Sequence, residues 1–239
     1  MGQTVGLTPV GVVRSCFKEK FGIPRQPGLV PEARGSLKLL SPFQRPELVR
    51  GLEGFSHLWL IFLFHGCPPG QWSPTVRPPR LGGNHRLGVF ATRSTFRPNP
   101  LGLSVVELEG IDLAGGVTLR LKGLDLLDGT PVVDIKPYLP YADSLPAARG
   151  GFASQAPETG LTVVLESQPA AFCRECSGDY GLDLEKLICQ ILTLDPRPAY
   201  RGGWQERGRV FGMRLLDFEL RWRVEEGITR VVEIRLAGK

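Results

Sequence analysis

Short apolar or alternating runs recur along the chain, with glycine- and proline-rich turns between them. They are "PVGVVRS" (9–15), "GSLKLL" (35–40), "HLWLIFLF" (57–64), "RLGVFATR" (86–93), "GLSVVELEGID" (102–112), "GVTLRLKGLDLL" (116–127) and "TPVVDIKPYL" (130–139). "VTLRL" and the later half of "SVVELEG" alternate apolar with polar residues, the period of a half-buried strand. "HLWLIFLF" is apolar on both faces and calls for a central position or cover on both sides. Seven strand-like runs with no helical pattern between them predict a closed barrel or a sandwich. The stretch 141–158, "YADSLPAARGGFASQAPE", is small and polar and reads as a linker. Beyond it, "GLTVVLES" reads as a strand and "DLEKLICQILTLD" (183–195) as an amphipathic helix. Two further strand-like runs flank Glu225-Glu226-Gly227 as a hairpin. This second unit is small and of α+β type.

Composition sharpens this picture at one place. The chain of 239 residues is 42% hydrophobic and 22% charged, enough to bury a core. Its net charge is +5, and one window carries all of it: from Gly54 to Val106 there are five arginines (Arg77, Arg80, Arg86, Arg93, Arg97), no lysine and no acid. So concentrated a positive field suits a polyanion or a phosphate-bearing ligand better than a merely solvated surface. The first residues show no charged stretch followed by an apolar one, so no export signal is expected. No apolar run reaches the roughly 18 residues that a membrane helix needs. The five cysteines, Cys16, Cys67, Cys173, Cys176 and Cys189, then read as reduced thiols of a cytoplasmic protein. Cys173 and Cys176 form a single C-x-x-C, two of the four ligands that zinc needs, and no metal site is expected.

The chemical motifs are selective in what they exclude. No G-x-G-x-x-G opens a helix after a strand, and there is no phosphate-binding P-loop, which argues against a Rossmann nucleotide site. There is also no G-x-S-x-G elbow. "IPRQPGLVPEARG" (23–35) holds Arg25 and Gln26 between prolines, as a plain connector or as a stiff ligand loop. "LIFLFHG" ends in His65-Gly66, either a satisfied core histidine or a place of close approach for a flat ligand. In "VVDIKPY" the strand period puts Asp134, Lys136 and Tyr138 on one face, as a solvated stripe or as a proton-handling set. In "TRSTFRPNP", Pro98 and Pro100 stiffen a corner that presents Arg97 and Asn99.

Taken together, "VGVVRS", "IPRQPGL", "GLEGFSHLWLIFLFH", "RPPRLGG", "GVFATRSTFRPNPLGLS", "LDLLDGTPVVDIKPYLPYAD", "DPRPAYR" and "DFELRWRV" make the chain similar to the TsaA/TrmO-like family of tRNA methyltransferases. The segment from Phe172 to Tyr180, with its C-x-x-C, departs from the pattern. The resemblance implies a mainly β protein. A single-sheet β-barrel over 1–145 would bind S-adenosylmethionine and carry out catalysis, and a smaller α+β domain over 159–239 would assist tRNA recognition. It also implies a homodimer and methylation at N6 of threonylcarbamoyladenosine next to the anticodon. By motif, the donor would meet Pro24, Arg25, Gln26, His65, Gly66, Arg93, Leu103, Lys122, Gly123, Leu124 and Asp125. Asp134 is the expected proton acceptor, with Lys136 and Tyr138 beside the substrate. Arg97, Asn99, Arg197, Tyr200 and Arg201 are expected to hold the tRNA. The rival readings are a methyltransferase with another acceptor, and a non-catalytic RNA-binding module that senses S-adenosylmethionine.

Overall fold

A computed structural model describes residues 5–68, 70–82, 84–156, 160–197 and 208–238. Six antiparallel strands close a barrel: β1 (Gly11–Ser15), β2 (Gly35–Leu39), β3 (His57–Leu63), β6 (Leu101–Asp112), β7 (Thr118–Lys122) and β8 (Pro131–Pro137), in the order β1-β2-β7-β6-β3-β8 and back to β1. Their alternation fills the interior with Val13, Leu37, Leu39, Leu58, Leu60, Phe62, Val106, Leu119, Leu121 and Val132, the expected consequence of a period-two pattern on a closed sheet. β3 pairs with β6 and β8, burying Leu58, Leu60 and Phe62 inside the barrel and leaving Trp59, Ile61 and Leu63 half-buried on the outer face. At Gly102 a side chain would overlap the Phe62 ring, so this glycine makes room for an aromatic residue at one end of the barrel.

The run 86–93 is not a barrel strand. Leu87–Gly88 (β5) pairs with Thr75–Val76 (β4) as a two-stranded ladder, and the chain then turns through a 3-10 helix at Val89–Ala91. Thr92 closes that turn, its amide and its hydroxyl both donating to the Val89 carbonyl. That local bonding removes the backbone groups a seventh barrel strand would need.

After a four-residue helix, α1 (Pro140–Asp143), comes a second sheet of order β10-β11-β12-β9, made of β9 (Thr162–Leu165), β10 (Val210–Leu215), β11 (Phe218–Glu225) and β12 (Ile228–Leu236). The β11–β12 hairpin closes on Glu226 and Gly227, both at positive φ (51° and 78°), the geometry of a tight two-residue turn. Helices α2 (Ser167–Tyr180) and α3 (Leu184–Thr193) cover this sheet. The α3 spacing buries Leu184, Leu187, Ile188, Ile191 and Leu192, and Asp183 caps its start by accepting from the Lys186 amide at 2.9 Å. The C-x-x-C lies on α2, where burial pushes the Cys173 thiol up to about 12. Among the described residues no helix is long and apolar enough to cross a membrane.

The two units share a core through the segment that follows β1. Cys16, Phe17, Val30 and Ala33 are fully buried with the second sheet, Phe21 stacks on Trp222 at 5.8 Å, and the Leu216 amide donates to the Cys16 carbonyl at 2.7 Å. Glu32 is buried against α3. Its amide donates to Gln190 Oε1 at 2.9 Å, and its carboxylate meets Lys186 Nζ at 2.8 Å.

Candidate functional site

A cleft opens at one end of the barrel, where four loops converge. The first is the segment carrying Pro24, Arg25 and Gln26. Its two flanks, Ile23 and Val30, are anchored on the second sheet, so the short proline-bounded stretch between them is suspended from both sides. The second is the turn Phe64-His65-Gly66-Cys67 after β3. The third is the arginine corner between β5 and β6, and the fourth runs from Asp125 to Thr130. Ile191, Leu194 and Asp195, at the end of α3, complete the wall on the side of the second sheet.

Specific bonds tie these loops together. The Gly28 amide donates to the Gly123 carbonyl at 2.9 Å, and Gly123 has φ of 71°, so backbone meets backbone where a side chain on Gly123 would press on Gly28. The Leu124 amide donates to the Ala33 carbonyl at 3.0 Å. Arg93 Nη1 donates to Gln26 Oε1, joining the arginine corner to the proline-bounded loop. Cys67 Sγ donates to Thr95 Oγ1 at 3.2 Å, joining that corner to the turn after β3. Arg97 spends one Nη on the Thr92 and Ser94 carbonyls, at 3.0 and 3.2 Å, and lies over the Phe90 ring at 6.0 Å. The corner therefore satisfies part of its own backbone and still presents a fixed guanidinium–aromatic pair.

Pro24, Arg25, Gln26, His65, Gly66, Arg93, Leu103, Asp125, Arg97 and Asn99 all line this cleft. Lys122, Gly123 and Leu124 do not: Lys122 pairs with Glu107 at 3.8 Å on the barrel wall, and Leu124 is in the barrel core. Asp134, Lys136 and Tyr138 share one face, as their spacing predicts, but it is the outer face of the sheet. Asp134 pairs with Lys136 at 3.0 Å, and Tyr138 packs against Trp59 at 5.9 Å between ring centres. None of the three borders the cleft, which reaches this face at Trp59. Arg197 is engaged by Asp195 through two bonds, at 2.7 and 2.8 Å, just beyond α3. Tyr200 and Arg201 lie outside the described residues.

The electrostatics single out Asp125. It belongs to the cleft wall, its Oδ1 is buried, and no hydrogen-bond partner reaches that atom. Burial pushes its carboxyl up to about 6, against the opposing pull of the Ser104 hydroxyl and the Arg93 charge. Ser104 is itself a buried hydroxyl on the inner face of β6. Phe62 and Phe64, edge to face at 5.3 Å, supply an apolar floor. On the cleft's rim Phe90 and Phe96 stand 78% and 45% exposed, and Trp72, in the same arginine-rich window, is 54% exposed. Among the described residues none of its five arginines forms an ion pair with a carboxylate.

The chain matches two adjoining family models, the tRNA-methyltransferase O N-terminal domain over residues 12–144 and the TrmO C-terminal domain over residues 158–237. The chain belongs to the TrmO family. It is 53% identical over 218 residues to the tRNA (adenine(37)-N6)-methyltransferase of Escherichia coli (strain K12), covering 91% of this chain and 92% of that one. It is 52% identical over 220 residues to a putative S-adenosylmethionine-dependent methyltransferase, RcsF, of Pseudomonas aeruginosa, covering 92% and 93%. Its structure resembles a crystal structure of TrmO from Pseudomonas aeruginosa with a TM-score of 0.82 at 44% identity, over 98% of this chain and 99% of that chain.

Proposed function

We propose that this protein methylates N6 of adenosine 37 of tRNA with S-adenosylmethionine, and that its substrate base carries the threonylcarbamoyl group. The observation that carries the reading is the cleft itself: a buried, unpaired carboxylate oxygen and an apolar aromatic floor, edged by arginines with no acidic partners among the described residues. The residues fit the donor. Asp125 offers an acceptor to a cationic or hydroxyl-bearing ligand, and an unsatisfied buried oxygen calls for such a partner. Arg25 and Arg93 offer charge to a carboxylate, and Gly66 brings bare backbone to the cleft wall. S-adenosylmethionine, when bound, supplies an activated methyl group on a sulfonium; alignment and proton removal are left to the protein.

The tRNA side of the reading rests on the arginine window. Exposed Phe90 and Phe96, with Arg97 held over Phe90, form a surface suited to stacking bases while the arginines meet phosphates. Arg97 and Asn99 are the proposed contacts to the substrate, along with Arg197 and the segment that follows it. The second unit contributes by holding the Pro24–Gln26 loop.

The proposed assembly is a homodimer in the cytoplasm. On the outer face of β6 and β3, Leu101 and Leu103 stand opposite Leu63 and Ile61, a continuous apolar row that includes side chains 38% and 53% exposed. Asp134, Lys136 and Tyr138 share this face, so on assembly they meet the neighbouring subunit, and a catalytic part for them depends on it. Labelled S-adenosylmethionine incubated with total tRNA tests the reading, with nucleoside digestion to locate the label. Label on N6 of adenosine 37 supports it. Label on another nucleoside means a different acceptor, and donor binding without transfer means a sensing module.

A further inference from the structure

Of the fourteen residues expected at the donor or catalytic positions two are carboxylates, Asp125 and Asp134, and of these two only Asp125 lines the cleft. Asp134 is 49% exposed, neutralised by Lys136 at 3.0 Å and off the cleft wall. Asp125 is on the wall, with Oδ1 buried and unpartnered. Its position is fixed from three sides. The Leu124 amide is bonded to Ala33, the Gly123 carbonyl accepts from Gly28, and the Leu124 and Leu126 side chains on either side are locked in the barrel core. A carboxylate clamped in this way cannot swing out to water, so its cost persists in the folded protein until something approaches it.

Resting on the proposed reading of the reaction, we infer that Asp125 is the catalytic proton acceptor: Oδ1 takes the N6 proton of the substrate base during methyl transfer. The atoms balance without a further reactant. N6 forms a bond to the methyl carbon as the carbon–sulfur pair leaves with the sulfur, now a neutral thioether. The N6–H bond breaks with its electron pair staying on nitrogen, the proton passes to Oδ1, and the resulting carboxylic acid returns it to solvent after product release. A ureido N–H is weakly nucleophilic because its lone pair is delocalised, so proton removal in the transition state has something to contribute. Within the cleft the charged group facing Asp125 is Arg93 and the hydroxyl is Ser104. Both favour the ionised form, while burial opposes it, which leaves a base that is charged at neutral pH and not far from protonation.

The test uses the full chain and the variants Asp125→Asn, Asp125→Glu and Asp134→Asn. Three readouts are needed: single-turnover methylation across pH 5 to 9, S-adenosylmethionine affinity by calorimetry, and thermal unfolding. For Asp125→Asn the expected result is a single-turnover rate at saturating donor reduced on the order of 10²-fold or more, well beyond any loss of donor affinity. The acidic limb of the wild-type profile would be abolished, and Asp125→Glu would recover part of the rate. In the unliganded protein, the carboxyl resonance of labelled aspartate that titrates well above the others should vanish in Asp125→Asn. Three results would overturn the inference: an unchanged single-turnover rate, a rate loss matched in full by lost donor binding, or a base-like pH limb that moves with Asp134→Asn instead. If wild-type protein methylates no tRNA, the functional reading fails first; if it does and Asp125→Asn matches it, only the role of Asp125 fails.

Discussion

A buried carboxylate with an unpaired oxygen destabilises the fold in proportion to the displacement of its titration, and at Asp125 that displacement runs upward, to about 6. The protonated form is the one the unliganded fold prefers. The stability it contributes is complete below the ordinary carboxylate range and is lost as pH rises through about 6. Asp125→Asn should therefore be more stable than wild type at pH 8 without ligand, by roughly 2–3 kcal/mol, with a higher unfolding temperature, and the gap should close near pH 4. Equal gaps at both pH values in a thermal titration would contradict this. A second residue-level expectation concerns Gly102, which a methyl group would drive into the Phe62 ring. Gly102→Ala should cost about 1–3 kcal/mol and disturb the aromatic floor. A variant as stable as wild type in denaturant unfolding would show that Phe62 can move aside.

At the scale of elements, the alternating runs of β2, β6 and β7 were legible because one face of each strand is buried in the barrel. Helix α3 was legible because its apolar stripe is complete. Helix α2 was not, since "SQPAAFCRECSGDY" mixes small, polar and cysteine positions and buries only Pro169 and Cys173 fully. The run at 86–93 looked like a strand because its composition is apolar, while the Thr92 side chain decided for a turn. Least legible was the fate of the segment after β1. Arg25 and Gln26 stood out as a stiff loop, but nothing in the local pattern says that Phe17, Phe21 and Val30 belong to the core of the second sheet. Lys186 and Gln190 lie four apart, on one face of α3, and both meet Glu32, a long-range meeting that only the fold creates. Glu32→Gln should raise amide hydrogen exchange across 24–33 and weaken donor binding, while leaving the slowest barrel amides unchanged. Uniform exchange loss through the barrel would instead mean that Glu32 supports the whole fold.

For the whole molecule, the decisive asymmetry is charge. One window holds as much net positive charge as the chain, and in the fold those arginines border a single cleft together with exposed aromatic rings. Affinity for tRNA should fall steeply with salt, with a log–log slope of order −3 to −4 if the four arginines of the window other than Arg93 meet phosphates. Arg77→Ala should make that slope shallower by about one; a filter-binding series with an unchanged slope would remove Arg77 from the interface. The outer apolar row makes a parallel expectation for assembly. Sedimentation should report twice the 26.2 kDa chain mass, and Leu101→Glu should halve it. The measurement that bears most directly on the central claim is methyl transfer from labelled S-adenosylmethionine to one tRNA, prepared with and without the threonylcarbamoyl group on adenosine 37. Label at N6 of the modified tRNA alone is the predicted result; equal labelling of both, or labelling of neither, would contradict it.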